Sequence, residues 1–149
     1  MPSLVTERIE SVKAGIVGAG SFAVAESIFG LAKILVNLMT YDSAAIAAIK
    51  EAIAFDWTWS IELAISAISG FLFGVTYRYV IRSDRNSHLN DGAVLAFGLV
   101  RGLALIEKNL VLSELLSLGG LVLQSIICFA IARLVLDLAI ARKLIKPFV

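Results

Sequence analysis

The sequence predicts an all-α fold, an integral membrane bundle of four transmembrane helices with a short interfacial helix between the first two spans. Three observations carry this. Hydrophobic residues make up 59% of the chain and charged residues only 17%, with a mean hydropathy of +0.91. That is too apolar for a soluble bundle, in which every surface helix needs a polar face. The apolar residues gather into four segments, each flanked by charge or by tryptophan and tyrosine. Finally, residues 66–106 read as a helical hairpin, two Gly-x-x-x-Gly segments around one polar loop.

The length of 149 residues suits a single domain. Its beginning, MPSLVTERIESVK, is not a secretory signal, because acids interrupt it before an apolar core begins. Leu4, Val5, Ile9 and Val12 fall at helical spacing, which predicts a short amphipathic lead-in lying on the membrane surface. The first span follows over about 14–39. It carries Glu26 and Lys33, with Gly15, Ala19, Ala23 and Gly30 near the face that holds Glu26. Small residues allow a second helix to approach closely, and an intramembrane carboxylate needs a partner there.

Between Tyr41 and Trp59 the pattern becomes amphipathic. Ile46, Ile49, Ile53 and Phe55 make an apolar stripe beside Lys50, Glu51 and Asp56. This predicts the interfacial helix, with Trp57 and Trp59 at headgroup depth. The second span covers about 59–81. Ser66, Gly70 and Gly74 recur every fourth residue along it, Glu62 sits near its start, and Tyr77 and Tyr79 mark its far interface beside Arg78 and Arg82.

The loop holding Arg82, Asp84, Arg85 and His88 is polar and reads as an interaction surface, with Asn90 or Asp91 placed to cap the next helix. The third span, about 91–106, is short. Only 15 residues, Gly92–Ile106, separate its bounding acids, less than a full hydrocarbon crossing at about 1.5 Å per residue. The fourth span is about 111–141. Arg133 and Asp137 lie one turn apart near its end, and Arg142, Lys143 and Lys146 follow.

Counting basic residues outside the spans orients the chain. Arg8, Lys13, Arg78, Arg82, Arg85, Arg142, Lys143 and Lys146 fall on one side, and Lys50 and Lys108 on the other. The positive-inside bias therefore places both termini and the 82–91 loop in the cytoplasm or its equivalent.

Two constellations follow from this layout. Gly70/Gly74 and Gly98/Gly102 predict tight packing of the second span on the third. With span midpoints aligned, Glu26 and Arg101 share mid-membrane depth. Arg133 and Asp137 lie near Asp91, and Lys33 lies at the depth of Glu62. These buried charges read as structural ion pairs fixing helix register, the alternative being an ion or proton path.

No catalytic motif, cofactor motif or metal-ligand set is present. His88 with its neighbouring Asp and Asn residues has no second histidine or cysteine to complete a metal site, and Cys128 has no partner for an intrachain disulfide. A net charge of +1 argues against a nucleic-acid partner. The segment TYRYVIRSDRNSHLNDGAVLAFGLVRGLA resembles a family of small, functionally uncharacterised integral membrane proteins of cyanobacteria and plastids. The resemblance implies a thylakoid or plasma membrane location and nothing about chemistry. The expectation is a non-enzymatic multi-pass protein, embedded in the lipid bilayer. It would serve as a structural, assembly or accessory subunit of a membrane complex, or pack against itself. The alternative is a small transporter or channel component using Glu26 and Arg101.

Overall fold

The computed structural model describes residues 4–40, 57–81, 87–108 and 115–147. They form four helices: α1 Leu4–Thr40, α2 Trp57–Val80, α3 Ser87–Lys108 and α4 Leu115–Ala141. The chain's two prolines are Pro2 and Pro147, so no helix is interrupted by a missing amide donor. Each helix contains a stretch long and apolar enough to cross a membrane: Leu4–Val36, Ser60–Val80, His88–Glu107 and Leu118–Ala141. The expected interfacial helix over 41–56 lies outside the described residues, as do Arg82, Asp84 and Arg85.

Two boundaries differ from the sequence reading. The lead-in is not a separate surface helix but the first turns of α1, and its polarity is inverted. Leu4, Val5, Ile9 and Val12 point outward, whereas Glu10 and Ser11 are buried. The inward side chains of this stretch have polar partners inside the bundle, which makes their burial affordable. The third helix is likewise longer than expected. It starts at Ser87 and runs 22 residues, about 33 Å at 1.5 Å per residue. Asp91 lies inside the helix instead of capping it, and it pairs with Arg133 of α4.

The helices run alternately up and down. α1 packs most extensively on α2, and α3 on α4, with α1 and α4 joining the two pairs. The predicted α2–α3 glycine contact is therefore corrected: α2 and α3 meet only lightly. Gly70 and Gly74 instead face α1. A Cβ added at Gly70 would lie 2.5 Å from the Gly18 carbonyl oxygen, and one at Gly74 would strike the backbone of Ala14. Gly98 and Gly102 face α4, where added Cβ atoms would lie 2.8 Å from the Cα of Ile126 and 2.7 Å from that of Val122. A smooth face fixes how closely a helix can be approached, not which neighbour approaches. Gly15, as expected, and Gly18 are working glycines of α1, an added Cβ meeting the Phe71 ring and the Gly70 carbonyl respectively, whereas Gly30 faces open space.

At the centre, Phe22, Phe73, Phe97 and Phe129 interlock, one from each helix. Ring centroids are 4.4 Å apart for Phe22–Phe129, 5.1 Å for Phe73–Phe129, 5.4 Å for Phe73–Phe97 and 5.7 Å for Phe97–Phe129. Tilted and edge-on ring pairs at such spacings add to simple apolar burial.

Candidate functional site

Three polar clusters interrupt the apolar interior, and each ties three segments together. The first is centred on Arg101 of α3. Its Nη2 donates to both carboxylate oxygens of Glu26 on α1, at 2.9 and 2.8 Å, and to Ser66 of α2 at 2.9 Å. Nη1 donates to Ser69 at 3.0 Å, and the Ser66 hydroxyl donates to Glu26. The guanidinium also lies 5.0 Å from the centroid of the Phe22 ring, within cation–π range. The α1 and α3 backbones do not pack on one another among the described residues. Only a side chain as long as arginine's closes that diagonal. Its Nε is buried and has no hydrogen-bond partner among the described residues.

The second cluster joins Tyr77, Asp91, Arg133 and Asp137. Buried Tyr77 donates to Asp137 Oδ1 at 2.8 Å and accepts from Arg133 Nε at 3.2 Å. Arg133 pairs with Asp91 of α3 through Nη1 and stands 3.6 Å from Asp137 Oδ2. This brings together the three charges placed at one depth by the sequence. Tyr77, which reads from sequence as an interface marker, is the hub between two of them.

The third cluster was not legible as such. Arg78 is 1% exposed. Its Nη2 pairs with the Glu7 carboxylate, Nη1 donates to Ser11 Oγ at 2.7 Å and to the Glu7 carbonyl at 3.1 Å, and Nε donates to the Lys146 carbonyl at 2.9 Å. Ser11 Oγ also donates to Tyr79 Oη at 3.1 Å. Glu10 accepts from Lys13 at 2.8 Å and from the backbone amide of Lys146 at 2.9 Å. A signal existed: Glu7, Ser11, Gly15, Gly18, Phe22 and Glu26 recur at three- and four-residue spacing, so the inward stripe of α1 reaches back to its first turn.

Residues 142–147 reach Arg78 through a helix-terminating turn. Lys143 sits at φ 59°. The Leu144 amide donates to the Ala139 carbonyl and the Lys143 amide to the Ile140 carbonyl, both at 2.9 Å, the paired bonds of a Schellman cap. Ile145 is buried beyond it.

Lys33 and Glu62, expected at a common depth, are both exposed side chains on α1 and α2. His88 is exposed in the first turn of α3. Among the described residues no three His, Cys, Asp or Glu side chains converge as a metal-ligand set, and Cys128 is buried.

Along α2, Ser66 and Tyr77 are separated by about 17 Å at 1.5 Å per residue, and the four interlocked phenylalanines occupy the level between them. The Arg101 and Arg133 clusters are thus separate groups with an aromatic layer in between, the first charge-balanced and the second holding two carboxylates against one guanidinium. No family model matches this chain, and no curated protein or solved structure is detectably similar to it.

Proposed function

We propose that the chain is a multi-pass integral membrane protein whose four helices cross the bilayer. Its role is that of a non-enzymatic structural, assembly or accessory subunit of a membrane complex. The observation that carries the membrane assignment is the inversion of polarity. Arg78 and Glu10 are buried and the Glu26–Arg101 pair lies largely inside, while only 11, 28, 17 and 28% of the apolar windows of the four helices is buried. In water such a surface would aggregate; in hydrocarbon it is the expected exterior. The inner membrane of the cell fits this, or the thylakoid if the resemblance of residues 76–104 is one of descent.

The structural role rests on how the interior charges are used. Glu26 and Arg101 neutralise one another within a four-residue network, and Arg133 holds both Asp91 and Asp137, the latter also accepting from the Tyr77 hydroxyl. The phenylalanine layer between the clusters supports pairs that set helix register over a continuous polar path. A second reading, a transporter or channel component working through Glu26 and Arg101, draws on one observation. The Arg101 Nε is a buried donor left over for a transient ligand or water.

A double-mutant cycle separates the two. Glu26→Gln or Arg101→Gln alone strands a charge and should cost about 3–5 kcal/mol, whereas the double variant should cost far less. Folded yield and thermal stability in detergent measure this. Additive losses would mean the pair contributes no register. Rescue of stability with loss of gradient-driven flux in liposomes would move the assignment to transport. Recovery of a stoichiometric membrane partner in mild detergent would identify the complex.

A further inference from the structure

We propose that Arg8, Arg142, Lys143 and Lys146 form a recognition surface for the phosphate headgroups of anionic lipids. The proposal rests on the membrane assignment above. It starts from the third polar cluster, which does more than join helices: it sorts charge by sign. Glu7 and Glu10 are turned inward, Glu7 onto Arg78 and Glu10 onto the Lys146 amide. Glu10 also takes Lys13. The same bonds hold residues 142–147 against the first turns of α1, so the four remaining cations share one end of the bundle. All four are exposed, and none forms an ion pair among the described residues.

A second observation comes from the turn itself. Lys143 holds the left-handed backbone conformation that glycine normally occupies at the end of a helix. A lysine there carries a conformational cost that glycine would not, and it presents its ammonium group outward.

The surroundings decide the partner. Leu4, Val5, Ile9 and Val12 on α1 and Leu144 in the turn are exposed at the same end as the cations. Apolar side chains interleaved with exposed cations suit the boundary between headgroups and acyl chains. A soluble acidic protein or a free phosphate would use the cations but leave the leucines in water.

The test uses the full chain purified in mild detergent. Thermal stability and native mass spectrometry are followed during titration with phosphatidylglycerol, phosphatidylcholine or inorganic phosphate. Phosphatidylglycerol should bind and stabilise selectively. Affinity should fall about fivefold for each cation replaced by glutamine in the series Arg8, Arg142, Lys143, Lys146. Should the variants fold poorly, the unmodified protein gives the answer by salt. The phosphatidylglycerol preference should collapse when ionic strength rises to about 0.5 M, where screening extends over only a few Å. Equal binding of the two lipids, or equal stabilisation by inorganic phosphate, would overturn the proposal. Alkaline carbonate extraction of the source membranes tells this failure from a deeper one. A chain that is retained in the membrane but ignores headgroup charge loses only the lipid surface. A chain released into the supernatant loses the membrane assignment too.

Discussion

Arg78 donates hydrogen bonds from all three of its nitrogens, to Glu7, Ser11 and Lys146, and their directions define a rigid fork. A lysine carries the same charge but cannot reach a carbonyl on one side and a carboxylate on the other. Arg78→Lys should therefore destabilise nearly as much as Arg78→Gln, about 3–5 kcal/mol, because either change leaves the partly buried Glu7 carboxylate, Ser11 and the Lys146 carbonyl without the fork that joins them. Melting in detergent checks this. A lysine variant that melts like the parent would show that charge alone matters there. The contrast with Arg101 explains what a sequence can reveal at this scale. Arg101 stands in mid-span, where any charge demands a partner at its own depth, and Glu26 was the candidate. Arg78 stands beside Tyr77 and Tyr79 at the end of a span, where an arginine usually extends to the interface. Nothing local distinguishes snorkelling outward from turning inward. Only the stripe running back through Ser11 to Glu7 on another helix does so.

For the helices as elements, the glycines separate into working and idle sets. Gly18 and Gly70 lie where backbone meets backbone, and an added side chain would have nowhere to go. Gly20, Gly30 and Gly92 have nothing within 4 Å of an added Cβ. Gly18→Leu or Gly70→Leu should thus lower the melting temperature sharply, an overpacking cost of about 3 kcal/mol or more against a backbone that cannot yield. Gly30→Leu should be neutral or slightly stabilising, since glycine is a poor helix former. Similar losses at Gly30 and Gly70 would show that helix propensity, not contact, governs these positions. The existence of the four helices was readable because about 20 consecutive apolar residues leave few alternatives. Their pairing was not. Consecutive spans invite the assumption of a hairpin, yet a Gly-x-x-x-Gly face fits any partner with a matching smooth or small surface. Here α2 finds it in Ala14, Gly15 and Gly18 of α1, and α3 finds room beside Val122 and Ile126 of α4.

At the scale of the whole molecule, the up-down-up-down course and the distribution of charge bear on one another. Glu10 and Arg78 both contact Lys146, so the start of α1, the end of α2 and the turn after α4 lie at one end of the bundle. That end carries Arg8, Lys13, Arg142, Lys143 and Lys146, and the segment leaving α2 toward Arg82 and Arg85 departs from it. The opposite end receives the segments bearing Lys50 and Lys108. Because translocation of short basic segments is disfavoured, the cation-rich end should stay on the cytoplasmic or stromal side. Reporters fused after Lys13, Lys50, Asn86, Lys108 and the last residue should therefore read inside, outside, inside, outside, inside. The reading at Lys108 is the most discriminating. α3 extends from Ser87 to Lys108 and is long enough to cross, whereas a re-entrant third segment would put Lys108 back on the side of Asn86. An inside signal at both positions would break the alternation and with it the four-span arrangement. If the alternation holds, replacing Arg8, Arg142, Lys143 and Lys146 together by glutamine should weaken the inside bias without inverting it, because Arg82 and Arg85 still favour the same side. A complete inversion in that variant would show that the terminal cations alone set the orientation.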